Sequence, residues 1–394
     1  MLRTYTFRLY PTKQQEHQLL WTLEQCRFIY NKLLEHLQHQ EQPNRNEIQH
    51  SLLALKEQHP ELNNVYSKAL QYESYRLFSN LRSLRGRKAK GKKNGRLRFK
   101  GKGFFKTFTF NQSGFKILYS NLRYDKLHLA KIGDIPFIMH RDIEGSIKQV
   151  TIKHFSSGKW FAFIASEQKK TVLPSANSKK VGIDLGLMNY AADSDGHSIP
   201  HPHRLNASLA KLKKQQQRLS RKKKGSHNRG KQRIKVARVH EKVLNQRNNF
   251  LHKLSHYYVN NYGFIAVEDL HIPRLVSKTY NARNMMDASW SRFIQMLCSK
   301  AESAGCMVVK VEPRGTTQQC SRCRKSVPKK LWDRIHACAC GFTVDRDYNA
   351  ALNILQRALG QELPEVTPVE IKTSVTCSSE QGSSLVGEAG RSGL

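Results

Sequence analysis

Positive charge dominates this sequence and limits the conditions under which the chain can be compact. Its 394 residues include 67 Lys and Arg against 30 Asp and Glu, a formal net charge of +37. Repulsion on this scale opposes compaction unless a polyanion is present. Nucleic acid is the polyanion we expect, because each neutralised phosphate releases a counterion. An anionic membrane is the alternative, but no stretch approaches the roughly 18 consecutive apolar residues of a membrane-spanning helix.

Two segments concentrate the charge. Residues 85–106 contain eleven Lys or Arg, no acid and three interleaved Phe, while residues 211–247 contain fifteen Lys or Arg and one acid. A solvated charge run is the ordinary interpretation, but interleaved aromatics and glycines favour a segment that closes on a phosphate backbone. The predicted nucleic-acid contacts are Arg87, Lys88, Lys90, Lys92, Lys93, Arg96, Arg98, Arg221, Lys222, Lys223 and Lys224.

Apolar patterning predicts an α/β protein with several domains. Residues 1–168 are predicted to form an N-terminal β-barrel with a helical insertion at about 12–100. Residues 169–179 resemble a linker, and residues 180–360 alternate strands with helices as a second domain. Residues 361–394 are rich in Ser, Gly and Glu, which predicts disorder. The N-terminus lacks the apolar segment of a signal peptide, so we expect a cytoplasmic location.

Acidic residues are scarce here, and four of them occupy unusual places. Asp184 lies within the apolar strand VGIDLG, Glu268 ends the apolar strand FIAVEDL, and Asp345 and Asp347 precede the helix YNAALNIL. A buried carboxylate without a cation is costly. Each acid alone is more often a helix cap or an ion-pair partner. Three together can hold two Mg²⁺ ions about 3.5–4 Å apart for phosphodiester hydrolysis, and their order along the chain fits an RNase H-like sheet.

Four of the eight cysteines lie within 21 residues and predict a metal site. Cys320 and Cys323 form one C-x2-C pair, and Cys338 and Cys340 form a shorter C-x-C-G pair. Two such pairs are typical of a zinc ribbon, in which four thiolates hold one structural Zn²⁺ and leave no position for a catalytic water. Because the second pair is one residue short, His336 is an alternative ligand.

These motifs together resemble the TnpB family of transposon-encoded proteins, also called OrfB. The resemblance rests on YTFRLYPTKQQEHQLL, VGIDLGLMNYAADSDG, IAVEDL, the tract from ASWSRFIQML to VKVEPRGTTQQC, and CSRCRKSVPKKLWDRIHACACGFTVDRDYNAALNIL. It implies a wedge-like barrel with an inserted helical domain, then a RuvC-type nuclease domain with a zinc ribbon at about 316–344. It also implies that Asp184, Glu268 and Asp347 are the catalytic, magnesium-binding residues, with Asp345 the less suitable acid of its pair.

The resemblance further implies an RNA-guided DNA endonuclease related to the compact type V CRISPR effectors. A guide RNA from the transposon end would pair with target double-stranded DNA, and the N-terminal part would read a short adjacent motif. Only 78 residues separate Glu268 from Asp347, which leaves no room for an HNH nuclease. One active site would therefore cut both strands in turn.

Two other functions remain open from the sequence. A DDE-type transposase would use the same fold and metals, but it would need an N-terminal DNA-binding module such as a helix-turn-helix, which the sequence does not reveal. A non-catalytic regulator that binds nucleic acid would carry the same three acids as relics. Substitution of Asp184 by Ala separates a nuclease from a non-catalytic regulator. A regulator would keep its whole function, whereas a nuclease would lose cleavage and keep its affinity for nucleic acid.

Overall fold

The computed structural model describes residues 2–40, 42–93, 95–120, 123–168, 175–203, 205–277, 281–330 and 332–360. The predicted tail lies outside these residues, as does the predicted linker up to residue 174. The chain divides into two compact units, Met1–Lys170 with Lys224–Arg238, and Thr171–Lys223 with Val239–Leu394. The sequence-based division places residues 224–238 in the second domain, whereas the structure groups them with the first unit. The domain boundaries given above stay a prediction.

Three helices interrupt the strands of the first unit. They follow the first strand and precede the second, and beyond Ala89 the described residues up to 106 adopt no helix or strand. The elements are β1 (Leu2–Leu9), α1 (Lys13–Gln38), α2 (Arg45–Gln58), α3 (Ser67–Ala89), β2 (Thr107–Asn111), β3 (Phe115–Leu118), β4 (Asp125–Leu129), β5 (Gly133–Phe137), β6 (Ser146–His154) and β7 (Trp160–Glu167).

The seven strands of this unit form one antiparallel sheet in the order β2-β6-β7-β1-β5-β4-β3. β2 and β3 stand at opposite edges, although only residues 112–114 connect them. Such a link spans about 14 Å, whereas the edges of a flat seven-stranded sheet would lie about 29 Å apart. The sheet must therefore curl until its edges approach. Pairing between β2 and β3 is absent from the described residues, so closure into a barrel stays a prediction.

The second unit is built on a mixed sheet of five strands in the order β10-β9-β8-β11-β12. β9 and β10 form an antiparallel hairpin arrangement with β8, while β11 runs parallel to both β8 and β12. The strands are β8 (Lys180–Leu185), β9 (Asn189–Asp193), β10 (Ser198–Pro200), β11 (Phe264–Glu268) and β12 (Met307–Val311), and a separate hairpin pairs β13 (Ile335–Ala337) with β14 (Thr343–Asp345). The coarse prediction of an α/β protein with several domains is thus confirmed.

Helices of very different character accompany this sheet. They are α4 (Leu209–Ser220), α5 (His227–Asn261), α6 (Ile272–Ser277), α7 (Ala282–Ala288), α8 (Trp290–Ala304) and α9 (Arg346–Leu359). From Val239 onward, α5 buries an apolar seam that includes Val243, Leu254 and Tyr258. Among the described residues, no helix combines the length and apolar character that crossing a bilayer requires.

Gly182 allows α9 to lie directly on β8. A Cβ atom at this position would overlap the carbonyl oxygen of Ala351 and would lie 2.7 Å from the backbone nitrogen of Leu355. Ala266 of β11 and Ile354 of α9 are fully buried in the same apolar cluster. Because side chains alternate across a strand, Asp184 shares the face of Gly182 that α9 covers. This close approach brings the start of α9 towards the ends of β8 and β11.

Candidate active site and cysteine cluster

Asp184 and Glu268 lie side by side at the carboxyl ends of two neighbouring strands. β8 and β11 are parallel, and Ile183 pairs with Val267, which makes Asp184 and Glu268 the next residues in register. Asp184 is 8% exposed and Glu268 is 7% exposed. The sequence placed both acids on apolar strands, and the sheet topology brings them together on the face that α9 covers.

Asp347 and Asp345 have different roles, although only one residue separates them. Asp345 caps α9, because its side chain accepts hydrogen bonds from the backbone N–H of Asp347 at 2.8 Å and of Tyr348 at 3.2 Å. Asp345 is exposed, whereas Asp347 is buried in the first turn of α9. Of the two acids, Asp347 is the one whose negative charge helps to raise the pKa of Asp184.

Electrostatics show that the three carboxylates form one group. Burial raises the pKa of Asp184 well above its usual value, and the charges of Glu268 and Asp347 raise it further. Burial also raises the pKa of Glu268, while the hydrogen bond from Thr316 lowers it. Arg346 and Arg357 oppose these shifts only in part. Buried, mutually repelling carboxylates of this kind are stable as anions only beside cations.

The donor set fits Mg²⁺, which prefers carboxylate oxygens together with waters and phosphate oxygens. Within the described residues, the cysteines form the one group of three or more potential ligands whose atoms all lie within 4.8 Å of one another. The carboxylates are thus spaced more widely than ligands that converge on a single ion.

Two further residues hold the carboxylates in place, and sequence reasoning missed both. Thr316 is almost fully buried, and its Oγ1 donates a hydrogen bond of 2.6 Å to Oε1 of Glu268. Arg346 donates from Nε to Oδ1 of Asp347 at 3.2 Å. The VEPRGTTQQC tract offers no signal that separates Thr316 from Thr317. The contact joins residues 48 positions apart and is visible only in the fold.

A row of polar side chains on α9 fastens the segment that carries Thr316. Asn349 accepts from the backbone N–H of Ser321 at 3.0 Å and donates to the carbonyl of Gln319 at 2.8 Å. Asn353 donates to the carbonyls of Thr316 at 2.8 Å and of Gln319 at 2.6 Å. Both asparagines are fully buried. The helix that supplies Asp347 therefore also positions the hydroxyl that contacts Glu268.

The four predicted cysteines converge at one point. The sulfurs of Cys320 and Cys340 lie 3.8 Å apart, and those of Cys323 and Cys338 lie 3.5 Å apart. Four thiolates around a tetrahedral Zn²⁺ at about 2.3 Å would place their sulfurs about 3.8 Å from one another. A disulfide would require about 2.05 Å. The cluster therefore matches a tetrahedral four-cysteine site.

His336, the alternative ligand, lies outside the group of converging ligand atoms. It is fully buried in β13, and its Nδ1 lies 2.5 Å from Nζ of Lys329. Nδ1 thus faces the ammonium group of Lys329, while His336 also forms a side-chain hydrogen bond with Cys320 and so lies beside the cluster. The shorter C-x-C pair supplies both of its sulfurs without help from the histidine.

The predicted nucleic-acid contacts all lie on loops and helix ends. Arg87 and Lys88 are in the last turn of α3, and the remaining residues of their group lie in the segment after it. All seven of this group are exposed, and so are Arg221, Lys223 and Lys224, which join α4 to α5. Lys222 is half-buried. Their part in binding stays a prediction.

Family profiles match three parts of the chain. The OrfB_IS605 profile, described as "Probable transposase", matches residues 163–279, and the "Cas12f1-like, TNB domain" profile matches residues 290–354. The profile described as "Helix-turn-helix domain" matches residues 1–45. This profile thus matches a stretch in which we identified no such module from the sequence. The described residues of the stretch include β1, α1 and the first residue of α2.

Relatives cover almost the whole chain. A protein of Streptomyces pristinaespiralis named "Putative RNA-guided DNA endonuclease" is 31% identical over 91% of this chain and 89% of its own. "Putative RNA-guided DNA endonuclease InsQ" of Escherichia coli (strain K12) is 28% identical over 90% of this chain and 92% of its own. The structure of CasPhi-2 (Cas12j) bound to crRNA matches 93% of this chain and 99% of its own chain at 10% identity, with a TM-score of 0.47. The chain belongs to the TnpB (OrfB) family, as its motifs predicted.

Proposed function

We propose that this protein is an RNA-guided DNA endonuclease of the TnpB type, which hydrolyses target double-stranded DNA beside a short adjacent motif. One observation carries the proposal: three carboxylates from β8, β11 and α9 are buried in a chain of net charge +37, and two of them lie next to each other on parallel strands. The names of the two relatives that span most of the chain support the same activity.

Asp184, Glu268 and Asp347 would hold two Mg²⁺ ions. When bound there, Mg²⁺ supplies Lewis-acid stabilisation of the charge that develops at the scissile phosphate. Burial keeps bulk water from screening the three carboxylates, which strengthens their hold on a cation. Thr316 and Arg346 would keep the carboxylates of Glu268 and Asp347 at productive angles. The strand order and the position of α9 support a RuvC-type, RNase H-like nuclease domain.

Cys320, Cys323, Cys338 and Cys340 would hold one structural Zn²⁺ as a zinc ribbon. A guide RNA from the transposon end and the target DNA would bind along the two basic segments. The curled sheet of the first unit, with its inserted helices, would form the wedge-like barrel that reads the adjacent motif. A cytoplasmic location is part of the same proposal.

The test begins by expressing the full chain with its native flanking DNA and sequencing the RNA that copurifies. The complex is then supplied with Mg²⁺ and a plasmid library that matches the guide beside randomised flanks. Guided cleavage should require one discrete RNA whose 3′ end runs into foreign sequence. Heterogeneous RNA, or none, would contradict the proposal.

Matched variants test the assignment of the acids. Asp184→Asn, Glu268→Gln and Asp347→Asn each remove one charge at almost constant shape, and each should abolish cleavage while DNA binding persists. Asp345→Asn keeps the cap of α9 and should cleave normally. Cutting of transposon ends without any RNA would support the transposase instead. Unchanged function of Asp184→Asn would support the regulator.

A further inference from the structure

Trp332 is an exposed aromatic side chain that the proposed chemistry does not use. It is 72% exposed, the highest fraction among the large apolar side chains that the described residues expose. Trp160 and Trp290 are buried, and Trp21 is half-buried. Nζ of Lys330 lies 5.6 Å from the Trp332 ring centroid, so a cation already approaches the ring. An exposed indole does not contribute the free energy that its burial would provide, so its exposure favours a role in binding.

Residues 332–334, here called the Trp332 loop, are hydrogen-bonded to Arg346, the first residue of α9. The backbone N–H of Arg346 donates to the carbonyl of Arg334 at 2.7 Å, and its guanidinium donates to the carbonyl of Asp333 at 3.2 Å. Trp332 directly precedes Asp333, whose carbonyl accepts from the guanidinium of Arg346. The same guanidinium also contacts Oδ1 of Asp347, a predicted magnesium ligand.

The surroundings of Trp332 are cationic. Between the two cysteine pairs the sequence has one acid, Asp333, and that side chain is engaged, because it accepts from the backbone N–H of Lys330 at 2.7 Å. Five cationic side chains of this part of the chain are exposed: Arg322, Arg324, Lys325, Lys330 and Arg334. An exposed aromatic ring among cations is the arrangement that binds single-stranded nucleic acid, with a base stacked on the ring and phosphates neutralised around it.

We propose that Trp332 stacks on an unpaired base of the DNA strand that enters the site of Asp184, Glu268 and Asp347. This inference rests on the proposed function, since the occupant is the strand to be cut. Only an unpaired base offers a free face, so the strand must be single-stranded at this point. The attachment of the loop to Arg346 favours this strand over the guide RNA, because the scissile phosphate must lie beside Asp347.

Stacking on Trp332 can be tested without cleavage. Intrinsic tryptophan fluorescence of the full chain is measured while a single-stranded DNA oligonucleotide is added. Trp332 is the most exposed tryptophan, so its quenching should dominate the signal, and Trp332→Phe should abolish that quenching while affinity persists. An undiminished quenching in Trp332→Phe would overturn the proposal. This readout survives a failure of guided cleavage, so the two proposals fail separately.

The position of the stacked base is tested in the guided complex. Asp184→Asn keeps the DNA intact, and 2-aminopurine is placed at successive positions of the strand that the wild type cuts. Quenching should be strongest beside the cut, should disappear in Trp332→Ala and should persist in Trp332→Phe. Quenching of 2-aminopurine in the guide RNA alone would refute the assignment to DNA.

Cleavage rates complete the test. Loss of one base–aromatic stack should slow Trp332→Ala by about 5- to 150-fold, whereas Trp332→Phe should stay close to the wild type. Leu53→Ala is the matched control, because Leu53 is similarly exposed, at 68%, and lies in α2. Equal rates for Trp332→Ala and the wild type would overturn the proposal, as would equal loss in Trp332→Phe and Trp332→Ala.

Discussion

The hydrogen bond from Thr316 to Glu268 should control the rate of cleavage. Thr316→Val replaces Oγ1 by a methyl group of similar size and removes the 2.6 Å contact with Oε1 of Glu268. A hydrogen bond to a charged group contributes about 1.5–3 kcal/mol. If that energy holds Glu268 in its productive orientation, the variant should cleave about 10- to 150-fold more slowly. It should also need more Mg²⁺ for half-maximal rate.

The assay compares wild type, Thr316→Val and Thr316→Ser under single-turnover conditions across a Mg²⁺ series. Thr316→Ser keeps the hydroxyl and should restore both the rate and the Mg²⁺ requirement. Binding of Mn²⁺ by the purified chain, followed by electron paramagnetic resonance, gives a readout that does not depend on cleavage. Melting temperatures show whether either substitution disturbs the fold.

Two results would refute this reasoning. A folded Thr316→Val protein with the wild-type rate and Mg²⁺ requirement would show that the hydroxyl does not position Glu268. A Thr316→Ser protein as slow as Thr316→Val would show that keeping the hydroxyl does not preserve the rate, so that the contact with Glu268 does not control it. Weaker Mn²⁺ binding in Thr316→Val alone is the result we expect.

Three further predictions concern other features of the chain. Gly182→Ala should lower both the melting temperature and the cleavage rate, because its Cβ would push α9 away from β8. Gly230→Ala is the control, because Gly230 lies in a helix with open space around the new Cβ, and it should lower neither. Equal melting temperatures for Gly182→Ala and the wild type would contradict the packing argument. Asp345→Ala should lower the free energy of unfolding by about 1 kcal/mol through loss of the helix cap, measured by urea titration, whereas Asp345→Asn should not. Burial raises the pKa of Glu73 from 4.5 to about 8; the folded state then holds a proton that the unfolded chain loses, so stability from this group falls as pH rises between those values. In scanning fluorimetry the wild type should therefore lose melting temperature relative to Glu73→Gln across that range, and parallel curves would argue against a buried, protonated Glu73.

The sequence could predict the acids of the candidate site because burial of charge is costly wherever it occurs. Asp184 and Glu268 stand out as carboxylates in apolar strands, and that signal needs no knowledge of the fold. The cysteine spacing was equally informative, because two pairs of cysteines, each two or three residues apart, are typical of a zinc ribbon. In the structure the four cysteine sulfurs converge, and the charges of Glu268 and Asp347 act on Asp184.

The supporting residues escaped prediction because their chemistry is ordinary and their partners are distant. Thr316, Asn349 and Asn353 act through contacts 28 to 48 residues away. Strand β5 escaped for a local reason: GDIPF has only two alternating apolar positions and a Pro, a pattern that does not predict a strand. β5 pairs with both β4 and β1, so the order of the strands in the sheet depends on a strand that the sequence does not predict.

Helix α9 explains why the candidate site and the cysteine cluster belong to one structural unit. Its first turn presents Asp347, its second and third turns hold residues 316–321 through Asn349 and Asn353, and its apolar face rests on Gly182. Cys320 lies within the segment that the asparagines hold, and Thr316 opens it. We therefore expect loss of a metal ion from the proposed four-cysteine site to loosen one end of the segment that carries Thr316, while Asn349 and Asn353 continue to hold it. If both proposed metal sites exist, residues 316–321 connect them, because this segment carries Cys320 and Thr316 and is hydrogen-bonded to the helix that presents Asp347.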